Sequence, residues 1–133
     1  MTTNTNGRDT ILIVEDDEDS RYVYGIVLED HGFSVATARS GDEGLRIARE
    51  TRPRAILMDV SIPGLDGWTV TERLKGDPET HGIPVIIITA HAFPEDLARA
   101  EQVGCDSFLT KPCEPRRVLE EVVRVLESPR PPK

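Results

Sequence analysis

Five short apolar runs, each separated from the next by a stretch of helical length, constrain this chain more than any other feature. They are Ile11-Leu12-Ile13-Val14, Phe33 to Ala36, Ala55-Ile56-Leu57-Met58, Pro84 to Thr89 and Ser107-Phe108-Leu109. They are mostly β-branched, aliphatic or aromatic and too short for helices, so they read as strands. None alternates cleanly between apolar and polar residues, which predicts burial on both faces, as in a parallel sheet covered by helices. The intervening segments carry helical signals. Val23, Ile26 and Val27 recur at helical spacing with Gly32 as a stop, and Leu45 and Ala48 carry a helix that ends before Pro53. Trp68 to Lys75 is a third helix, Pro94 opens a fourth over Leu97, Ala98 and Ala100, and Val118, Leu119, Val122, Val125 and Leu126 form an amphipathic last helix. Five strands alternating with five helices predict an α/β domain with right-handed crossovers.

A chain of 133 residues suits one such domain, whose core needs no disulfide or structural metal. Residues 1–9 read as a disordered polar lead and 128–133 as a frayed, Pro-rich tail, leaving the domain at 10–127. The formal net charge of −8 speaks against nucleic acid or an anionic membrane as partner. No stretch approaches the roughly 18–20 apolar residues of a membrane span. Cys105 and Cys113 fit no zinc spacing and predict two half-buried thiols in a reduced, cytoplasmic protein.

In an open parallel sheet, ligands bind beyond the carboxyl ends of the strands. Glu15, Asp16 and Asp17 follow the first run, Asp59 the third, Thr89 ends the fourth, and Lys111 follows the fifth; the second ends without such chemistry. Asp17 has the residue type of a helix cap. Asp59 ends an apolar run directly, where an unpaired charge is costly. Carboxylates brought together raise one another's pKa unless a cation sits among them, and Mg²⁺ suits such oxygen donors. Only three of the sixteen basic residues are lysines, and Lys111 offers a compact point charge beside Pro112. A cation site, an acceptor carboxylate, a hydroxyl and an ammonium are together the equipment of phosphoryl transfer.

These segments resemble the receiver domain of bacterial two-component response regulators. The matching stretches are Ile11 to Asp17, Ile56 to Gly67, Val85 to Ala90 and Phe108 to Pro112, in order and in register over about residues 10–127. The resemblance implies a flavodoxin-like (βα)5 fold, a doubly wound five-stranded parallel sheet of strand order 2-1-3-4-5. It implies Asp59 as phosphoacceptor and Lys111 as its ion-pair partner. Asp16 would be the direct Mg²⁺ ligand with Glu15 as its acidic neighbour, and the Ser61 carbonyl and Asp59 would complete the protein's share of the metal shell. Thr89 would be the switch hydroxyl and Phe108 the switch aromatic, while Ser61 and His91 occupy positions that tune phosphoryl lifetime.

The implied activity is acceptance of a phosphoryl group from a phosphohistidine on a histidine kinase or phosphotransfer protein, with Mg²⁺ and without other enzymatic turnover. The face formed by the fourth helix, fifth strand and last helix would then change shape and signal to a downstream protein effector, or the chain would pass the phosphoryl group on in a phosphorelay. The protein would be a monomer or weak homodimer. Two alternatives stand beside this reading. One is a receiver-like interaction module that works without phosphorylation. The other is an aspartyl-phosphate phosphatase of the haloacid-dehalogenase type, with Asp17 as nucleophile. Trp68 is expected to pack locally at its helix start.

Overall fold

The computed structural model describes residues 9–127. Apart from Asp9, the polar lead and the Pro-rich tail lie outside the described residues. Strands and helices alternate strictly: β1 (Thr10–Val14), α1 (Glu18–Asp30), β2 (Ser34–Ala38), α2 (Gly41–Thr51), β3 (Ala55–Asp59), α3 (Gly67–Lys75), β4 (Val85–Thr89), α4 (Pro94–Val103), β5 (Ser107–Thr110) and α5 (Pro115–Glu127). The strands form one sheet in the order β2-β1-β3-β4-β5, every neighbouring pair parallel.

The absence of polar alternation in the strands has the expected cause. Successive side chains of a strand point to opposite faces, and here both faces are covered. Leu12, Val14, Ile56, Met58, Val85 and Ile87 pack against α2, α3 and α4, including Leu45, Trp68, Leu74 and Val103. Ile11, Ile13, Leu57, Ile86 and Ile88 pack against α1 and α5 through Tyr24, Leu28, Val118 and Val122. Each fully buried aliphatic side chain contributes about 1.5–3 kcal/mol relative to exposure, so the two layers fix the register of all five strands.

Two expectations need correction. The second strand begins at Ser34, not Phe33. Gly32 takes a left-handed φ of 108°, and Phe33 N then donates back to Leu28 O at 3.1 Å, so Phe33 belongs to the turn that ends α1. The buried face of α1 is Tyr24, Gly25 and Leu28, while Val23 and Ile26 are exposed. Apolar residues surround this helix almost completely from Tyr22 to Leu28, so spacing alone could not select the inward face. The packing of Tyr24 and Leu28 into the layer between α1, α5 and the sheet selects it. Trp68 packs locally as expected; it is buried at the start of α3, with the Arg99 guanidinium 5.4 Å from its ring centroid.

Candidate functional site

Parallel strands point all their carboxyl ends to one edge, and that edge gathers Glu15, Asp16, Asp59, Thr89 and Lys111 from four separate segments. Two backbone bonds tie neighbouring ends together: Glu15 N donates to Ala38 O at 3.0 Å, and Lys111 N donates to Thr89 O at 2.7 Å. Glu15 and Asp59 are only 2% and 3% exposed, whereas Asp16 is exposed. One carboxylate oxygen from each of these three lies within 4.8 Å of the others.

Lys111 is the cation among them. Its Nζ donates to Glu15 Oε1 and to Asp59 Oδ2, both at 2.9 Å. The remaining oxygens of the two buried acids are held by backbone: Asp17 N donates to Glu15 Oε2 at 3.1 Å, and Ser61 N donates to Asp59 Oδ1 at 2.9 Å. Three carboxylates against one ammonium leave an excess of negative charge. Burial, reinforced by the neighbouring Asp59, raises the Glu15 carboxyl to about 7 against the lowering effect of Lys111. Burial alone would lower the Lys111 pKa, but its hydrogen bonds to Asp59 and Glu15 outweigh that and raise it.

The backbone of Asp59 is fixed from below. Gly67 N donates to Val60 O at 3.2 Å, and a Cβ on Gly67 would lie 2.5 Å from Asp59 O and 2.6 Å from Val60 Cα. Only a residue without a side chain lets α3 start this close to the acidic strand end.

Thr89 is buried, and its Oγ1 accepts from His91 N at 3.2 Å. His91 in turn stacks on Phe93, the N-cap residue of α4, with centroids 5.8 Å apart. Phe108 is half-buried on the α4 side of the sheet and lines an open groove of about 510 Å³ with Leu97, Glu101 and Cys105. Ser61 is exposed on the turn after β3. Asp17 caps α1, its carboxylate accepting from Ser20 N at 2.9 Å and Ser20 Oγ at 2.7 Å. That bonding, led by the Ser20 side chain, lowers its pKa. Cys105 and Cys113 are free and half-buried.

The structure thus brings together the acids and the lysine picked from the sequence, with Ser61 bonded to Asp59 and Thr89 joined to Lys111 through the backbone. Phe108 stands apart, toward α4. One contact was not legible: Arg21 Nη1, from the first turns of α1, donates to the Glu15 carbonyl at 2.9 Å. Its only trace in the sequence is a basic residue just after the acid run Glu15 to Asp19.

Three hard oxygen donors around uncompensated negative charge are a fit for a small divalent cation such as Mg²⁺. The same chemistry tells against a phosphate-cradling loop, since the acids would repel that anion.

The chain is similar to known proteins in sequence and in fold. The family model described as the response regulator receiver domain matches residues 11–123. Protein PilH of Pseudomonas aeruginosa is 38% identical over 116 residues, covering 87% of this chain and 96% of that protein. The polar-differentiation response regulator DivK of Brucella anthropi is 39% identical over 113 residues, covering 85% and 92%. Among solved structures, the signal receiver domain of a signal transduction histidine kinase from Syntrophus aciditrophicus superposes with a TM-score of 0.83 at 37% identity, covering 90% of each chain. The receiver domain of sensor histidine kinase PA1611 from Pseudomonas aeruginosa, determined with a magnesium ion in its active site cleft, gives 0.82 at 30% identity, covering 90% of this chain and 98% of that one.

Proposed function

We infer that this chain, which belongs to the response regulator receiver family, serves two-component signalling by taking a phosphoryl group on Asp59. The observation that carries the reading is the buried Asp59 carboxylate, gripped by Lys111 and set within 4.8 Å of two further carboxylates. A phosphoacceptor needs its nucleophile held still and its surroundings ready to neutralise an incoming dianion.

Asp16, Asp59 and the Ser61 carbonyl would hold Mg²⁺, with Glu15 beside them. Bound there, the ion offsets the charge of the phosphoryl oxygens and of the carboxylates. A magnesium ion in the cleft of the PA1611 receiver supports this assignment. An Asp59 oxygen attacks phosphorus in line; the bond from phosphorus to the donor histidine nitrogen breaks, and the imidazole leaves with that electron pair. Lys111, now on Asp59 Oδ2, moves to a phosphoryl oxygen as the acceptor oxygens become an acyl phosphate. Hydrolysis of that acyl phosphate is the only other turnover the chain is assigned.

The product carries about −1.5 to −2 charges, next to Thr89. If the Thr89 hydroxyl turns to it, the bond from His91 N is strained or lost, and the stacked His91–Phe93 pair at the start of α4 moves with it. Phe108 has the groove between α4 and β5 to move into. This is a shift between two conformations of one fold, read out by a protein effector on the α4–β5–α5 face. The phosphohistidine donor, a histidine kinase or phosphotransfer protein, would approach on the side of exposed Tyr22, Val23 and Ile26. A hollow of about 460 Å³ beside Val23, Tyr24, Ala90 and Lys111 supports that approach. Among the described residues, no helix is long and apolar enough to cross a membrane.

Incubation with acetyl phosphate and Mg²⁺, followed by intact-mass measurement, tests the reading. It expects a gain of one phosphoryl group that disappears in Asp59→Asn and in excess chelator. No gain from this or from a phosphohistidine protein would leave a receiver-like interaction module as the better description.

A further inference from the structure

We propose that Arg21 is a positioning residue for the cation site: its guanidinium fixes the peptide between Glu15 and Asp16, and so sets the direction in which the Asp16 carboxylate leaves the chain. The inference rests on the receiver reading and assigns a role to a residue outside the acidic cluster.

Glu15 is pinned at every polar group. Its N–H donates to Ala38 O at 3.0 Å, its Oε1 and Oε2 accept from Lys111 and Asp17 N at 2.9 and 3.1 Å, and its carbonyl accepts from Arg21 Nη1 at 2.9 Å. Asp16 is the opposite case. It is exposed, and among the described residues no hydrogen bond or ion pair holds its carboxylate, yet that carboxylate must meet the oxygens of Glu15 and Asp59. Its placement therefore depends on the backbone that carries it. The peptide plane entering Asp16 contains the Glu15 carbonyl, and Arg21 is the group that holds that oxygen. Arg21 itself has a firm base, because Arg21 N donates to Asp17 O at 3.0 Å and Asp17 caps the same helix.

Charge and position act in opposite directions, which makes the role testable. A guanidinium near the site repels a divalent ion, so loss of its charge alone would tighten Mg²⁺ binding. Loss of its hydrogen bond frees the turn and weakens binding, by about tenfold if the carbonyl contact acts like other supports of metal ligands.

The experiment is Mg²⁺ titration by calorimetry of the parent chain, Arg21→Ala, Arg21→Lys and Asp16→Asn, with amide hydrogen exchange at Asp16 and Asp17 measured in chelator. Arg21→Ala is expected to bind Mg²⁺ about tenfold more weakly and to exchange these amides faster without metal. Arg21→Lys, which keeps a charged donor, is expected to recover most of the affinity. Unchanged or tighter binding by Arg21→Ala overturns the proposal, as does a weakening that Arg21→Lys does not relieve. A parent chain whose Mg²⁺ binding is absent, or is untouched by Asp16→Asn, overturns the receiver reading itself.

Discussion

Asp59→Asn should make the protein more stable at pH 8 when no divalent cation is present. With their oxygens within 4.8 Å and an effective dielectric constant of about 20, the Asp59 charge is repelled by Glu15 by about 3.5 kcal/mol or more. Asp16 is exposed, and solvent screening cuts its share to about half of that. Against this, Lys111 at 2.9 Å attracts the Asp59 charge by about 5.7 kcal/mol. The asparagine oxygen still accepts from Lys111, which retains about 2 kcal/mol of that attraction. The balance favours the variant by roughly 1.5 kcal/mol. The sign depends on pH. The Glu15 carboxyl is raised to about 7, so as pH falls through that value it takes a proton and its repulsion of Asp59 vanishes. The advantage of Asp59→Asn therefore shrinks and reverses toward pH 5.5, where the weakened Lys111 contact outweighs the repulsion that is left. Mg²⁺ acts the same way, stabilising the parent by about 1.4 kcal/mol at ten times its Kd and the variant much less. Urea unfolding, followed by fluorescence of the single, buried tryptophan Trp68, reads all three conditions. A variant less stable than the parent at pH 8 in chelator would refute the idea that excess negative charge strains this pocket.

Gly67→Ala should cost about 1–3 kcal/mol by overpacking and slow acetyl-phosphate modification of Asp59, because the added Cβ would lie 2.5 Å from Asp59 O; unchanged modification kinetics would refute the tight fit. Glu121 is buried and bonded first to Arg124, then to Ser107 and Arg117, which lowers its pKa to about 2. Its stabilisation is fully present above the unfolded value near 4.5 and fades as pH falls toward about 2. Both arginines are more than half exposed, so about 1 kcal/mol is expected rather than the full shift; Glu121→Gln should lose it at pH 7 and much less at pH 2.5 in thermal unfolding. Lys75 Nζ donates to Asp106 Oδ2 and Ile83 O, both at 2.8 Å, in a pair only 11% and 6% exposed. Lys75→Met should therefore cost about 3 kcal/mol by removing the Lys75 ammonium from the buried Asp106 carboxylate, and a loss below experimental error would refute that.

Much of this was legible in the sequence because the physics is local to each strand. A run such as Val85 to Ile88, apolar on both faces, can only sit between two helical layers, and parallel strands then deliver Asp59, Thr89 and Lys111 to one edge without further information. Asp17 was recognisable as a cap for the same local reason. What stayed hidden depends on the third dimension. The inward face of α1 is settled by Tyr24 and Leu28 packing with Val118 and Val122, residues of another element. The clasp of Arg21 on Glu15 O joins a helix side chain to a backbone atom six residues earlier, a contact that no residue pattern announces. The closeness of α3 to Asp59 likewise rests on Gly67, which in the sequence is one of ten glycines.

Everything proposed for this site follows from Asp59 being the nucleophile. The most direct test traps the modified protein by borohydride reduction, which converts an aspartyl phosphate to homoserine, and locates that residue by tandem mass spectrometry. Homoserine is expected at position 59 after treatment with acetyl phosphate and Mg²⁺, and none in chelator. Homoserine at Asp17 instead would contradict the claim, since the helix cap would then be the nucleophile and the phosphatase chemistry would take its place.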